Sequence, residues 1–192
     1  ICNYQFIRRN GKNLWEEKSM TQIKYKYRQL ARLVIEAASP IAVWAGSKDF
    51  ITDAPVLKDV NGLPYLPGTS IAGVIRHAIG EDKAKGFFGF NDRVKSENSI
   101  GSEIIFTHAM MIGKDGLVME GLNEIDFSDK EFYSKFKTLP IRQHNSIDAK
   151  GTVKEGGKFD EQVVYKGTRF CFEIEKVSTQ EKDDDFENVI KT

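Results

Sequence analysis

The stretch ITDAPVLKDVNGLPYLPGTSIAGVIRHAIG, residues 51–80, contains the clearest fold signal in this chain of 192 residues. In its second half, apolar residues follow the i, i+3, i+4, i+7 and i+8 spacing of a helix with one buried face. They are Ile71, Val74, Ile75, Ala78 and Ile79. We expect Thr69 or Ser70 to cap this helix and Gly80 to end it. The apolar face predicts that the helix packs on a sheet.

The start of this helix also has the composition of an anion site. Pro67, Gly68, Thr69 and Ser70 place a glycine and two hydroxyls where unpaired N–H groups and the helix dipole favour phosphate. Arg76 falls outside the apolar stripe and could bind a second phosphate. Helix caps of this composition are common, so the pattern alone favours an ordinary cap over a phosphate site.

The rest of the chain predicts a mixed α and β domain. Alternating apolar residues indicate strands at residues 23–27, 30–38, 102–112 and 169–177, the last of them at an edge or on the surface. A helix is expected within residues 124–137, capped by Ser128.

Two further segments carry local signals. Phe87, Phe88 and Phe90 surround a glycine and predict a compact aromatic loop. Residues 142–164 have glycines and scattered lysines between two strand-like ends, which predicts a long hairpin or protruding loop.

Composition limits the class of protein. The length fits one globular domain, and 28 basic residues balance 28 acidic ones, whereas nucleic-acid-binding domains are more often strongly basic. Basic residues are nevertheless in excess in residues 1–32 and 137–169, so either a solvated surface of mixed charge or a cationic face remains open. No apolar run is long enough to span a membrane, and two cysteines make no disulfide framework. We therefore expect a cytoplasmic protein.

The run GLPYLPGTSIAGVIR, residues 62–76, resembles the motif of the RAMP superfamily, the RNA-binding backbone proteins of CRISPR effector complexes, especially of type III. Other blocks follow in the order of that family. Residues 35–59 resemble its first strand, glycine loop and Asp-x-Pro-Val block, FFGF its Phe-Gly loop, IIFTHAMM its next strand, and residues 141–176 its thumb hairpin and last strand. The resemblance covers roughly residues 33–176.

The resemblance implies an α+β fold, a modified ferredoxin-like (RRM-like) domain over residues 1–192. Residues 141–165 would form a thumb-like insertion and residues 179–192 an acidic flexible tail. The implied partners are CRISPR guide RNA, target RNA and other effector-complex subunits, with no membrane. The implied RNA-binding residues are Gly46, Lys48, Gly68, Thr69, Ser70, Arg76, Arg142, His144, Lys150, Lys154 and Lys158.

Asp53 is the catalytic and metal-binding candidate. The resemblance implies that it could hold Mg²⁺ or orient a 2′-hydroxyl during cleavage of target RNA. An Asp before Ala54 and Pro55 also caps turns, and noncatalytic relatives share the fold, so a structural or capping subunit is an equal alternative. A third hypothesis is metal-independent processing of guide RNA with His144 as general acid. Four residues depart from the family pattern and put single contacts in doubt: Trp44, Ala72, His108 and Ala149.

Overall fold

The structure, a computed structural model, describes residues 27–92, 98–178, 186, 187 and 190. The predicted strand at residues 23–27 and the predicted acidic tail at residues 179–192 fall almost wholly outside these residues. The elements in chain order are β1 (Tyr27–Glu36), α1 (Gly68–Ile79), α2 (Glu81–Phe88), β2 (Ile104–Phe106), β3 (Met110–Met111), α3 (Ser134–Lys137), β4 (Ile141–Ile147), β5 (Val153–Gln162) and β6 (Arg169–Ser178).

Strand β6 lies at the centre of a four-stranded antiparallel sheet. It pairs with β1 along one side and with both β2 and β3 along the other. The prediction of an edge or surface strand is therefore wrong. The glutamates that suggested exposure bind arginines of the neighbouring strand instead: Glu173 pairs with Arg32 and Glu175 with Arg28, each at 2.6 Å.

Alternate residues of β6 form the centre of the hydrophobic core. Phe170, Phe172 and Ile174 are buried together with Leu63 and Met111. Helix α1 packs against this core through Ile71, Ile75 and Ile79, at i, i+4 and i+8. The apolar stripe is narrower than its sequence indicates, because Val74 is 71% exposed.

Both ends of α1 are defined by backbone geometry. Gly80 has φ 83°, a left-handed conformation that favours glycine, and its amide donates to the carbonyl of His77, so the predicted end is confirmed. The predicted side-chain cap is wrong, because the helix begins at Gly68, before Thr69 and Ser70. The amides of Ser70 and Ile71 donate to the carbonyl of Pro67 at 3.0 and 3.2 Å instead.

Local side-chain hydrogen bonds explain two other differences from the predicted elements. The strand expected over residues 102–112 is split into β2 and β3, because the amide of Glu173 donates to the Thr107 hydroxyl at 2.8 Å. The long helix expected from Ser128 is reduced to α3. The carboxylates of Asp126 and Asp129 accept the amides of Ser128 and Glu131, which forms tight turns there.

The Phe-Gly segment also differs from its prediction. Phe87 and Phe88 are the last two residues of a short helix, α2, and only Phe90 lies beyond it, in an isolated bridge with Ile100. Within the described ranges no helix has the length and apolarity needed to cross a membrane.

Strands β4 and β5 form a separate antiparallel hairpin, which confirms the predicted one. Residues 52–56 lie along its base. The Thr52 hydroxyl and the Ala54 amide both donate to the carbonyl of Asp160, and the Gln162 amide donates to the carbonyl of Ala54 at 2.9 Å. The hairpin is thus joined to the loop before α1 by hydrogen bonds of the main chain.

Candidate nucleic-acid interface

An open groove of about 360 Å³ lies between α1 and β2. Two small residues on α1, Ala72 and Gly73, leave the space, and a Cβ at Gly73 would meet nothing within 4 Å. Gly68 lies at its edge. On the opposite side the rings of Phe88 and Phe106 stack with centroids 5.6 Å apart and planes at 13°. The other lining residues are Thr69, Arg76, Ser102 and Ile104.

The polar side chains that line this groove are Thr69 and Arg76 on α1 and Ser102 before β2, whose hydroxyl bonds to the carbonyls of Phe87 and Ile104. Arg76, Thr69 and Ser70 are exposed, so a guanidinium and two hydroxyls are accessible to a ligand. A cation and hydroxyl donors beside an apolar wall suit a phosphate-linked strand, which presents charge and flat bases together. The groove therefore brings together Gly68, Thr69 and Arg76, with Ser70 next to them in sequence.

Gly68 has a different role from the one its sequence predicts. It is buried, and its amide donates to Nδ1 of His108 at 3.1 Å, so this amide is used within the protein. A Cβ at Gly68 would overlap the carbonyl oxygen of Phe106 and lie 2.7 Å from that of Thr107. The expected cradle of free main-chain amides is thus wrong at Gly68 and at Ser70, whose amide donates to the carbonyl of Pro67, and side chains supply the accessible groups.

Asp53 lies at the base of the hairpin, away from the residues that line this groove. Its Oδ1 accepts a hydrogen bond from Lys48 Nζ at 2.7 Å, and its Oδ2 accepts one from the amide of Asp160 at 3.2 Å. The Lys48 ammonium, followed by the Asp160 amide, lowers the pKa of Asp53 below its ordinary value. The carboxylate is therefore charged and holds the loop of residues 46–52 to β5.

The residues around Asp53 do not assemble a metal site. In the described ranges, no three side chains of His, Cys, Asp or Glu come together as ligands. Both oxygens of Asp53 already accept hydrogen bonds, one from the Lys48 ammonium and one from the Asp160 amide. A metal ion bound to Oδ1 would have to displace the Lys48 ammonium. Mg²⁺ at Asp53 would therefore have to replace Lys48 and take its other ligands from RNA phosphate and water, and it stays a prediction.

The hairpin presents two different faces. Arg142 and His144 lie directly opposite Glu161 and Phe159, so these four side chains share one face. His144 stacks on Phe159 with centroids 5.1 Å apart, and its Nε2 lies 2.8 Å from Oε1 of Glu161. Lys158 pairs with Asn145 and is on the other face. The candidate RNA-binding residues of the hairpin are therefore divided between its two faces.

The tip of the hairpin is a turn held by Asp148. Its carboxylate accepts bonds from the amides of Lys150 and Thr152 and from the Thr152 hydroxyl at 2.7 Å. These bonds lower the pKa of Asp148. Next to the turn, Ile147 and Val153 face each other and are 61% and 59% exposed. The tip thus combines an apolar pair with exposed Lys150 and Lys154.

The remaining candidates lie in the loop that Asp53 holds. Lys48 is bound to Asp53, and Gly46 is exposed with φ 84°. The following residues, Phe50 and Ile51, are 111% and 74% exposed. This loop and the hairpin form one region, while Gly68, Thr69 and Arg76 form another.

Sequence reasoning missed the positioning roles of three residues, of which only His108 was noted, as a departure from the family pattern. His108 binds the start of α1 across forty positions, and Thr52 and Gln162 attach the loop to the hairpin. The Gln162 side chain accepts the amide of buried Val56 at 3.2 Å. No local pattern marks these residues, because each acts on a segment distant in sequence.

The arrangement of a central sheet, a helix after a Pro-Gly turn and a protruding hairpin agrees with a comparison of the chain to known families. The model of the RAMP superfamily matches residues 34–192. The chain belongs to the RAMP superfamily.

Solved structures share this RAMP fold at low sequence identity. A chain of the apo-state cryo-EM structure of type III-B Cmr-beta is 14% identical with a TM-score of 0.56, over 85% of this chain and 89% of that one. A chain of type III-B Cmr-beta bound to cognate target RNA is 16% identical with a TM-score of 0.52, over 85% and 50%. No curated protein matches significantly. The predicted α+β fold of modified ferredoxin-like type is thereby confirmed.

Proposed function

We propose that this RAMP protein is a subunit of a type III CRISPR effector complex that binds guide RNA through its sugar-phosphate backbone. The observation that carries the proposal is the open groove beside α1, where Arg76 and Thr69 are accessible opposite the stacked rings of Phe88 and Phe106. Contacts of this kind hold a strand without reading its sequence, which suits a protein whose RNA recognises targets by base pairing. Similarity to Cmr-beta chains supports the type of complex.

The hairpin is the second part of the proposed RNA interface. Its exposed tip, with Ile147 and Val153 beside Lys150 and Lys154, suits a wedge that enters between bases while lysines contact phosphates. The partner RNA at this tip would be the guide, the target or their duplex, and other subunits would contact the remaining surface. Neutral net charge is compatible with this arrangement because only these two regions need to face RNA.

The effect of salt on RNA affinity tests the groove. We expect Arg76→Ala to weaken RNA binding and to make log K against log salt less steep by about 0.7 to 0.9 per lost phosphate contact. The matched control is Arg28→Ala, because Arg28 is equally an exposed arginine but pairs with Glu175 on the main sheet. Equal slopes for wild type and Arg76→Ala would contradict the groove as a phosphate site.

Cleavage of target RNA at Asp53 is the second candidate function. The bonds of Asp53 to Lys48 and to the Asp160 amide favour a role in attaching the hairpin. The test incubates the assembled complex with complementary RNA and Mg²⁺ and compares wild type with Asp53→Asn, which keeps an oxygen acceptor. Equal product in both supports the noncatalytic subunit, whereas loss of cleavage only in the variant assigns the reaction to Asp53.

Metal-independent processing of guide RNA is the third candidate, and one contact favours examining it. His144 lies beside the Glu161 carboxylate, which could orient the imidazole as a general acid or base. Under the main proposal, the chain does not cleave repeat-containing RNA in the presence of EDTA. Cleavage that is present in wild type and absent in His144→Ala would replace the main proposal.

A further inference from the structure

His108 lies in the break between β2 and β3, and its ring contacts the first residue of α1. The Gly68 amide donates to Nδ1 at 3.1 Å. Because an amide N–H can only donate, Nδ1 must be unprotonated in this bond, and a neutral ring then carries its proton on Nε2. His108 therefore acts as the side-chain acceptor at the start of a helix that has no capping side chain of its own.

The bond fixes a tightly packed contact between α1 and β2. Gly68 lies against the carbonyl oxygens of Phe106 and Thr107, so closely that no Cβ would fit. One residue further along, Ala109 and Leu66 exchange two backbone hydrogen bonds of 2.8 and 3.0 Å. Gly68 and Phe106 are both walls of the groove, so the hydrogen bond from the Gly68 amide to His108 contributes to the relative position of its two sides.

The ring of His108 is accessible to solvent. The Tyr65 ring lies 5.2 Å away at 59°, and Lys58, Asp59 and Met110 line the same shallow pocket. Lys58 Nζ donates to the carbonyl of Phe136 at 2.9 Å, and Asp59 Oδ1 accepts the amide of Leu63 at 2.8 Å. In the described part of the chain, His108 takes part in no ion pair.

We propose that His108 is a positioning residue for RNA binding, which as a neutral imidazole holds the start of α1 against β2 and on protonation releases it. Protonated Nδ1 would place a donor against the Gly68 donor and a positive charge at the positive end of the helix. The ring does not line the groove, so its charge gains no direct phosphate contact there. RNA affinity therefore decreases on acidification, when the imidazole becomes protonated.

The experiment measures RNA affinity at about pH 8 and about pH 5.5 at constant ionic strength, for wild type, His108→Asn and His108→Phe. Asn offers an oxygen acceptor that does not titrate, and Phe keeps a ring without an acceptor. His77 and His144 are present in all three proteins, so an effect of either residue on RNA affinity cancels in the ratios. This test rests on the proposed function, because it uses RNA as the probe.

We expect acidification to weaken wild type about three- to tenfold more than His108→Asn, in line with loss of one hydrogen bond. His108→Phe should be weaker than wild type by a similar factor at about pH 8, and should lack this additional loss on acidification. Parallel pH profiles of wild type and His108→Asn would overturn the proposal, even if His108→Phe does not fold.

A second measurement separates this proposal from the proposed function. The backbone amide resonance of Gly68, followed by NMR without RNA, should shift between about pH 8 and about pH 5.5 in wild type and stay constant in His108→Asn. A constant resonance in wild type would overturn the role of His108 whether or not RNA binds. A titrating resonance together with salt-independent or absent RNA binding would retain the positioning contact and refute the proposed function.

Discussion

The groove beside α1 and the β4–β5 hairpin both carry candidate RNA-binding residues, but they are held in opposite ways. The groove walls belong to elements that pack on the hydrophobic core, and Gly68 itself is buried. The hairpin strands are mostly exposed, and hydrogen bonds to residues 52–56 attach their base. Changes at the groove should therefore alter the stability of the whole domain, whereas changes in the hairpin should remain local.

The largest expected difference in stability is between a phenylalanine of the core on which the groove walls pack and a phenylalanine of the hairpin. Phe170 is fully buried on β6, so Phe170→Ala should cost about 3 to 5 kcal/mol of unfolding free energy. Phe159 on β5 is 41% exposed and stacks on His144, so Phe159→Ala should cost about 1 kcal/mol. Urea unfolding of both variants measures the difference. Similar losses would show that the hairpin belongs to the cooperative core.

Two glycines of α1 compare the buried and open parts of the groove. Gly68→Ala should destabilise by about 1 to 3 kcal/mol, because the new methyl group overlaps backbone oxygens that cannot move freely. Gly73→Ala meets nothing within 4 Å and should stabilise by about 0.5 to 1 kcal/mol through helix propensity. Thermal unfolding of both variants measures whether each substitution lowers or raises the melting temperature. A stabilising Gly68→Ala would disprove the tight contact between α1 and β2.

The smallest effect concerns the attachment of the hairpin. The folded-state pKa of Asp53 is lowered, so its stabilising contribution is present above the unfolded pKa of about 3.9 and is lost as the pH falls through the folded value. The difference in melting temperature between wild type and Asp53→Asn should therefore shrink below about pH 4.

Lys48 provides the control for this pH dependence, because it is the main cause of the lowered pKa. In a Lys48→Met background, replacing Asp53 by Asn should produce a weaker pH dependence. A difference in melting temperature that stays constant from about pH 7 to about pH 3 would show that the ion pair adds nothing to folding.

The sequence predicts those parts of the fold that depend on local periodicity and turn residues. The helix with Ile71, Ile75 and Ile79 and its end at Gly80 follow from spacing and from the conformational freedom of glycine. The hairpin follows from strand-like segments around a glycine-containing turn. The predicted Arg76 is indeed on the accessible side of α1.

Predictions are wrong where distant residues determine the outcome. Glutamates at alternate positions of β6 suggested solvent exposure, but arginines of β1, more than 140 positions away, bind them. The amide of Gly68 was expected to be free for phosphate, but His108 occupies it. Neither partner could be identified from the sequence around the affected residue, since these pairs exist only once the sheet has formed.

The central place of β6 also affects the order in which the protein can fold during translation. Among the described strands of the main sheet, β1, β2 and β3 each pair with β6, and all three are synthesised before it. Leu33, for example, cannot form its strand pair until Phe172 has been synthesised. An emerging polypeptide would therefore expose unpaired strand edges until residues 169–178 leave the ribosome. Contacts so far apart along the chain predict slow folding and a need for protection against aggregation meanwhile.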